Sequence, residues 1–176
     1  IKEDTVEGLK ALKEIGVTDL VMLTGDNRET AEKVAEQTGI TEVHANLLPE
    51  NKVEIAEQII DKGRITAFVG DGVNDAPVLA RVDAGIAMGG LGSAAAMEAA
   101  DVVIMDDNPK KISLAIRIGR KTVRLAKENI WFALIIKLLV LVLGALGLVN
   151  MWAAVFADVG VAVIAIANSM RALRVK

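Results

Sequence analysis

From residue 3 to residue 15 the apolar residues Val6, Leu9, Leu12 and Ile15 recur at steps of three, which places them on one face of a helix. Gly16 ends that pattern, and residues 18–23 (TDLVML) form a continuous apolar run short enough for a strand. Thr24-Gly25-Asp26-Asn27 is a turn able to cap a helix near residues 29–37, which Gly39 stops. A short strand is expected around residues 42–45, then a helix over residues 50–61 and a buried strand over residues 64–69 (RITAFV). Gly70-Asp71-Gly72-Val73-Asn74-Asp75 makes the next turn, and Pro77 falls in the first turn of a short helix. A strand at residues 84–88, a small helix at 93–99 and a strand at 102–105 complete this half.

Strands alternating with helices at this spacing predict an α/β fold, a parallel sheet with helices on both faces. Ligands of such sheets bind beyond the carboxyl ends of the strands, and both unusual turns, TGDN and GDGVND, fall there.

After residue 107 the pattern changes. Residues 108–128 read as a basic helix with Ile112, Ala115, Ile116 and Val123 as its apolar face, a stalk leading into a pair of long apolar runs. These runs, residues 130–149 and 151–170, have 20 residues and a single charge each, Lys137 and Asp158. At about 1.5 Å per residue either helix is about 30 Å long, the thickness of a bilayer's hydrocarbon layer. Only Asn150 separates them, which predicts a tight hairpin with Trp131 and Trp152 as interfacial anchors near opposite faces. Such a turn offsets Lys137 and Asp158 in depth by about 7 Å, a gap that a long lysine can bridge.

Charge divides the chain at the same place. Residues 1–107 hold 21 acidic and 9 basic residues, and residues 108–176 hold 2 acidic and 11 basic. A net of −12 thus gives way to a net of +9, within an overall −3. A water-soluble unit joined to one that meets a membrane fits this asymmetry. Arg120, Lys121, Arg124 and Lys127 precede the first span, Arg171, Arg174 and Lys176 flank the end of the second, and the connecting turn is uncharged. Both ends of the hairpin are therefore expected on the cytoplasmic side. Nucleic acid is not an expected partner, because the basic residues flank apolar runs and no aromatic residues interleave them. The absence of cysteine excludes disulfides, thiolate metal sites and a cysteine nucleophile from this sequence. With 53% hydrophobic residues and a mean hydropathy of +0.44, wholesale disorder is excluded. The chain opens on Ile1-Lys2-Glu3-Asp4, with neither a secretory signal nor an initiator methionine, so a piece of a longer protein is expected.

Chemistry concentrates in three places. In GDGVNDAP, Asp71 and Asp75 are carboxylates four residues apart on a glycine-rich turn, a pattern able to hold Mg²⁺ through hard oxygen ligands. A plain Asx-rich turn has the same composition. Thr24 offers a hydroxyl and neighbouring backbone N–H groups at a helix start, a seat for phosphate or simply a helix cap. Lys52 opens a helix, where it could neutralise a developing phosphoryl charge or merely face solvent.

In this order and spacing, MLTGDN, PENK and VGDGVNDAPVLARVDAGIAMG resemble the second half of the phosphorylation domain of P-type ATPases, members of the haloacid dehalogenase superfamily. The resemblance covers residues 1 to about 107, and the stalk and two spans come where that family has its last two membrane helices. It implies a partial Rossmann-like, haloacid dehalogenase-type domain over residues 1–107, a basic stalk over 108–128 and a transmembrane hairpin over 129–176. It further implies that Thr24, with Gly25 and Asp26, and Lys52 contact an aspartyl phosphate. Asp71 would ligate Mg²⁺, with Asn74 and Asp75 supporting phosphate and metal. ATP would be the substrate. Asn129, Lys137 and Asp158-Val159-Gly160 resemble the zinc, cadmium and lead branch, in which the aspartate helps bind the transported metal and the lysine is its counter-ion. Asp158 is a hard oxygen ligand, suited to Zn²⁺ and poor for Cu⁺. A Lys137–Asp158 pair that only neutralises itself is the alternative.

Other candidates carry less. Gly90-Leu91-Gly92-Ser93-Ala94-Ala95 imitates a dinucleotide fingerprint but has Lys110 and Lys111 where an acidic residue belongs, so it reads as helix–sheet packing. His44 is expected as strand filler, and Met22, Met88, Met97 and Met105 as core. The Asp-Lys-Thr-Gly-Thr nucleophile segment and the Cys-Pro-Cys pair of such pumps do not occur in these residues. The expectation is therefore the C-terminal portion of a bacterial or archaeal plasma-membrane pump, a zinc, cadmium or lead exporter that is inactive by itself. Its partners would be the lipid bilayer and the pump's nucleotide-binding domain, actuator domain and other membrane helices. A membrane-anchored phosphatase would need its own nucleophile, and Asp4, in a helical pattern, and Asp19, at a strand start, do not fit. A non-catalytic membrane fragment is the remaining alternative.

Overall fold

A computed structural model describes residues 3–89, 94–106 and 108–174. The chain divides into two compact units, Ile1–Ser113 and Leu114–Lys176.

The first unit alternates helix and strand: α1 (Glu3–Glu14), β1 (Val21–Leu23), α2 (Arg28–Thr38), β2 (Glu42–His44), α3 (Pro49–Ile60) and β3 (Ala67–Gly70). A 3-10 turn at Val73–Asp75 comes next, then α4 (Ala76–Leu79), β4 (Ala84–Met88), α5 (Ala94–Ala99) and β5 (Val102–Ile104). All strand pairs are parallel, as the alternation predicts. One expectation is corrected. Among the described residues the strands form two sheets, β1-β2 and β3-β4-β5, instead of one. β1 thus pairs on one side only, with β2, and β3 on one side only, with β4.

A second correction concerns β3. Residues 64–69 were expected as a buried strand, but the strand begins only at Ala67: Ile65 precedes it and is 94% exposed, and Val69, on the edge strand, is 40% exposed. A strand paired on one side only is not covered as a central strand is. The core lies deeper, where Leu79 of α4, Ala87 of β4 and Ala96 of α5 pack with Phe68 and Val103. The small Ala87 and Ala96 let α5 approach the sheet closely.

Helix boundaries obey local chemistry. Asn27 caps α2, its side-chain oxygen accepting from the Thr30 N–H at 2.9 Å, and Gly39 closes the other end. The Val6 stripe of α1 is corrected: Val6 is exposed, while Gly8 is buried where its backbone lies against Pro109. The first turn of α6 (Lys110–Ala145) carries two lysines, the wrong sign for a helix N-terminus. Lys110 pairs with Asp4 and Glu7, and Lys111 with Asp106, which offsets that cost. Hydrogen bonds to Asp4 first, and then to Glu7, hold the exposed Lys110 ammonium above the usual lysine range.

The second unit contains most of α6, then α7 (Met151–Ser169) and a 3-10 turn at Met170–Arg174. Both helices are long and apolar enough to cross a membrane. The connection is longer than expected. α6 ends at Ala145, so the loop is residues 146–150 instead of Asn150 alone. Gly147 takes a left-handed φ of 72°, which stops the helix despite the apolar run around it, and Asn150 caps α7 through Ala153 N–H. Along the basic stretch the expected stripe also fails in part: Ile112 is buried but Val123 is exposed, and Leu125 is buried in its place.

Candidate functional site

The TGDN turn leaves the carboxyl end of β1, and its conformation is set by backbone bonds. Thr24 N–H donates to His44 O at 2.9 Å, fixing the turn to β2. Asn46 N–H donates to Asp26 O at 2.8 Å and Leu47 N–H to Thr24 O at 3.0 Å. Asn46, at φ 57°, is the left-handed residue that makes this clasp possible. Thr24 does not cap α2, since Asn27 does. The Thr24 hydroxyl instead accepts from Asp26 N–H at 3.1 Å, so that N–H group is occupied within the turn. Gly25 and Asp26 are exposed. Sequence reasoning missed Asn46, although an asparagine between a strand and a helix start is a signal for a left-handed position.

Lys52 comes from the first turns of α3, which begins at Pro49 and is braced by Leu48 N–H donating to Asn51 Oδ1 at 3.2 Å. It is not a solvated helix residue. Its ammonium donates to Asp75 Oδ1 at 2.8 Å, and the two side chains are only 17% and 12% exposed. The residues are 23 apart in sequence and come after different sheets.

Asp75 ends the 3-10 turn that GDGVND forms, with Asp75 N–H bonded to Gly72 O at 3.1 Å. A Cβ on Gly70 would stand 2.8 Å from Asp75 Cβ and 2.9 Å from Oδ2. Gly70 is therefore the cradle in which the carboxylate lies. Asp71 and Asn74 flank it and are exposed. Gly70→Ala should push the carboxylate off Lys52 and destabilise the unit by about 1–3 kcal/mol, the usual cost of overpacking. Thermal unfolding measures it, and a wild-type melting temperature would show that the cradle does not matter.

Mg²⁺ is the implied cofactor, and the donor set suits it. Asp71 and Asp75 are both carboxylates, and Asp75 Oδ2 faces the side-chain-free positions Gly70 and Gly72. Among the described residues no three or more His, Cys, Asp or Glu side chains converge to hold a metal. Asp71 and Asp75 would thus offer it two carboxylates, as suits an ion that keeps waters and takes phosphate oxygens.

A second charged pair stands in the helical hairpin. Lys137 Nζ of α6 lies 3.2 Å from Asp158 Oδ1 of α7, and both side chains are nearly two-thirds exposed. The pair expected from the sequence forms, but without the expected offset in depth: with α6 ending at Ala145 and α7 starting at Met151, Lys137 and Asp158 lie eight and seven residues from the loop, nearly level. The His44 side chain bonds Glu42 at 3.0 Å on β2, while its backbone carbonyl holds the Thr24 turn. Asp4 and Asp19 are engaged with Lys110 and Arg64, and neither sits after a strand. The fingerprint-like segment at 90–93 lies outside the described residues.

A carboxylate, a lysine and a hydroxyl turn beyond the carboxyl ends of parallel strands define a haloacid dehalogenase-like domain. The haloacid dehalogenase-like hydrolase family matches residues 1–83. The chain is 52% identical over its whole length to the cadmium, zinc and cobalt-transporting ATPase of Bacillus subtilis (strain 168), of which it covers 26%. It is 55% identical over 97% of its length to the zinc-transporting ATPase of Synechocystis sp. (strain ATCC 27184 / PCC 6803 / Kazusa), covering 24% of that protein. Among solved structures, a zinc-transporting PIB-type ATPase in the E2.Pi state matches 99% of the chain at 37% identity with a TM-score of 0.92, over 28% of its own length. The chain belongs to the P-type ATPases and spans about a quarter of the relatives it matches.

Proposed function

We propose that this chain is the C-terminal portion of an ATP-driven exporter of divalent heavy metal, with Zn²⁺, Cd²⁺ or Pb²⁺ as cargo. The observation that carries the reading is the largely buried Lys52–Asp75 pair, a cation from α3 and a carboxylate from the 3-10 turn after β3. Residues 1–107 form the second part of the phosphorylation domain, 108–128 a stalk, and 129–176 a membrane hairpin with both ends cytoplasmic. The nucleophilic aspartate belongs to the rest of the pump, together with the nucleotide-binding domain, the actuator domain and further membrane helices.

Within that reading Lys52 and Thr24 bind the phosphoryl oxygens of the aspartyl phosphate, with Gly25 and Asp26 shaping the turn. Lys52 is held over the site by Asp75, so its charge is in place before phosphate arrives. Asp71 and Asp75 would hold Mg²⁺, with Asn74 supporting the phosphate. When bound, Mg²⁺ neutralises charge on the transferring group. In the hairpin Asp158 offers an oxygen to the cargo and Lys137 replaces it as counter-ion when the site empties. The exposed side of that pair is open to neighbouring membrane helices.

The test is acid-stable incorporation of phosphate from labelled ATP with Mg²⁺ and Zn²⁺. The chain alone should take up none, and a mixture with the complementary half of the pump should show zinc-dependent label on that other half. Label on an aspartate of this chain alone would overturn the assignment and favour an independent phosphatase.

A further inference from the structure

Asn129 lies on α6 eight residues before Lys137, where a polar amide has no obvious work in an apolar hairpin. Its side chain is fully engaged with the other helix. Asn129 Nδ2 donates to Ala165 O at 3.1 Å and to Ser169 Oγ at 2.9 Å. Asn129 Oδ1 accepts from Asn168 Nδ2 at 2.8 Å. Asn168 is held in turn by Arg171, whose Nη1 donates to Asn168 Oδ1 at 2.9 Å while lying 3.8 Å from Glu128. Where the surroundings are apolar, such interhelical bonds have no water to compete with them.

The loop at residues 146–150 closes one end of the hairpin, and this knot of amides closes the other. Lys137 lies about 12 Å along α6 from Asn129 and about 12 Å from Ala145, midway between the two closures. Without the knot the helices are joined at one end only and are free to splay. The 3.2 Å approach of Lys137 to Asp158 depends on that spacing, because side chains on facing helices meet only while the helices stay together.

We propose that Asn129 is a positioning residue: with Asn168 and Ser169 it fixes the spacing of α6 and α7, and so brings Lys137 to Asp158. Its importance for transport rests on the reading of that pair as part of the metal site.

The test has two arms. In the first, the 176-residue chain in lipid nanodiscs carries 5-fluorotryptophan at its two tryptophans, Trp131 beside the knot and Trp152 beside the loop. Asn168→Ala breaks the knot from the helix opposite Trp131. The Trp131 fluorine resonance should shift or broaden while that of Trp152 stays. An unmoved Trp131 overturns the proposal. In the second, Asn129→Ala in the complete pump should raise the zinc concentration for half-maximal phosphorylation about tenfold, with the maximum nearly unchanged. In a Lys137→Gln background the same substitution should add less than about twofold, because the pair it positions is already gone. Full additivity, or no effect of Asn129→Ala, overturns the proposal. A wild-type pump indifferent to zinc sinks the metal reading instead, and the fluorine arm then decides the knot by itself.

Discussion

Asp75→Asn in the complete pump should slow phosphoenzyme formation from ATP by about 10²- to 10³-fold while nucleotide binding persists, the loss typical of a preorganised electrostatic group. Two effects combine. The substitution turns the carboxylate proposed to hold Mg²⁺ into a neutral amide, and it leaves the Lys52 ammonium without its counter-charge at a position where only 17% of the side chain meets solvent. Removing one member of a buried pair costs about 3–5 kcal/mol of stability, far more than a surface pair. A lower melting temperature alone could therefore mimic a catalytic defect. Lys52→Met combined with Asp75→Asn separates the two, because it removes the orphaned charge. The double variant should recover much of the thermal stability and none of the phosphorylation. Recovery of both would mean that the pair is only a structural brace.

Asp158→Ala should abolish metal stimulation of the pump's ATPase, a loss of at least about 100-fold in apparent metal affinity, with ATP binding intact. Lys137 then faces hydrocarbon or neighbouring helices unpaired, at a cost of about 2.5–3.5 kcal/mol on insertion scales. Membrane insertion of the single variant should fall for that reason. Removing both charges with Lys137→Ala and Asp158→Ala should restore insertion without restoring metal response. Unchanged metal stimulation in Asp158→Ala, measured as ATPase rate against zinc concentration, would show that the aspartate is not part of the transport site.

Much of the fold was legible because its signals are local. Gly39, Pro77 and Asn27 punctuate helices through their own backbone preferences, and each does so where the sequence places it. The strand Ala84–Met88 was legible to the residue. Exposure was less so. Ile65 and Val69 are apolar, but Ile65 falls before β3 begins, and whether the face carrying Val69 is covered depends on the elements around that edge strand. The hairpin loop was misjudged because hydropathy does not change between Ala145 and Val149, while the left-handed turn at Gly147 does end the helix.

The candidate site divides in the same way. Composition and spacing by themselves determined the parallel α/β class, the two apolar helices, and the positions of TGDN and GDGVND at strand ends, all consequences of periodicity and turn chemistry. Tertiary structure alone decided that Lys52 is a buried partner of Asp75 and not a solvated helix residue, that Gly70 makes room for the carboxylate, and that Asn46 clasps the Thr24 turn. It likewise decided that Asn129 meets Asn168 across the hairpin. The physical reason is range: a turn or a cap is settled within about four residues, whereas an ion pair between residues 23 apart exists only once two elements have packed.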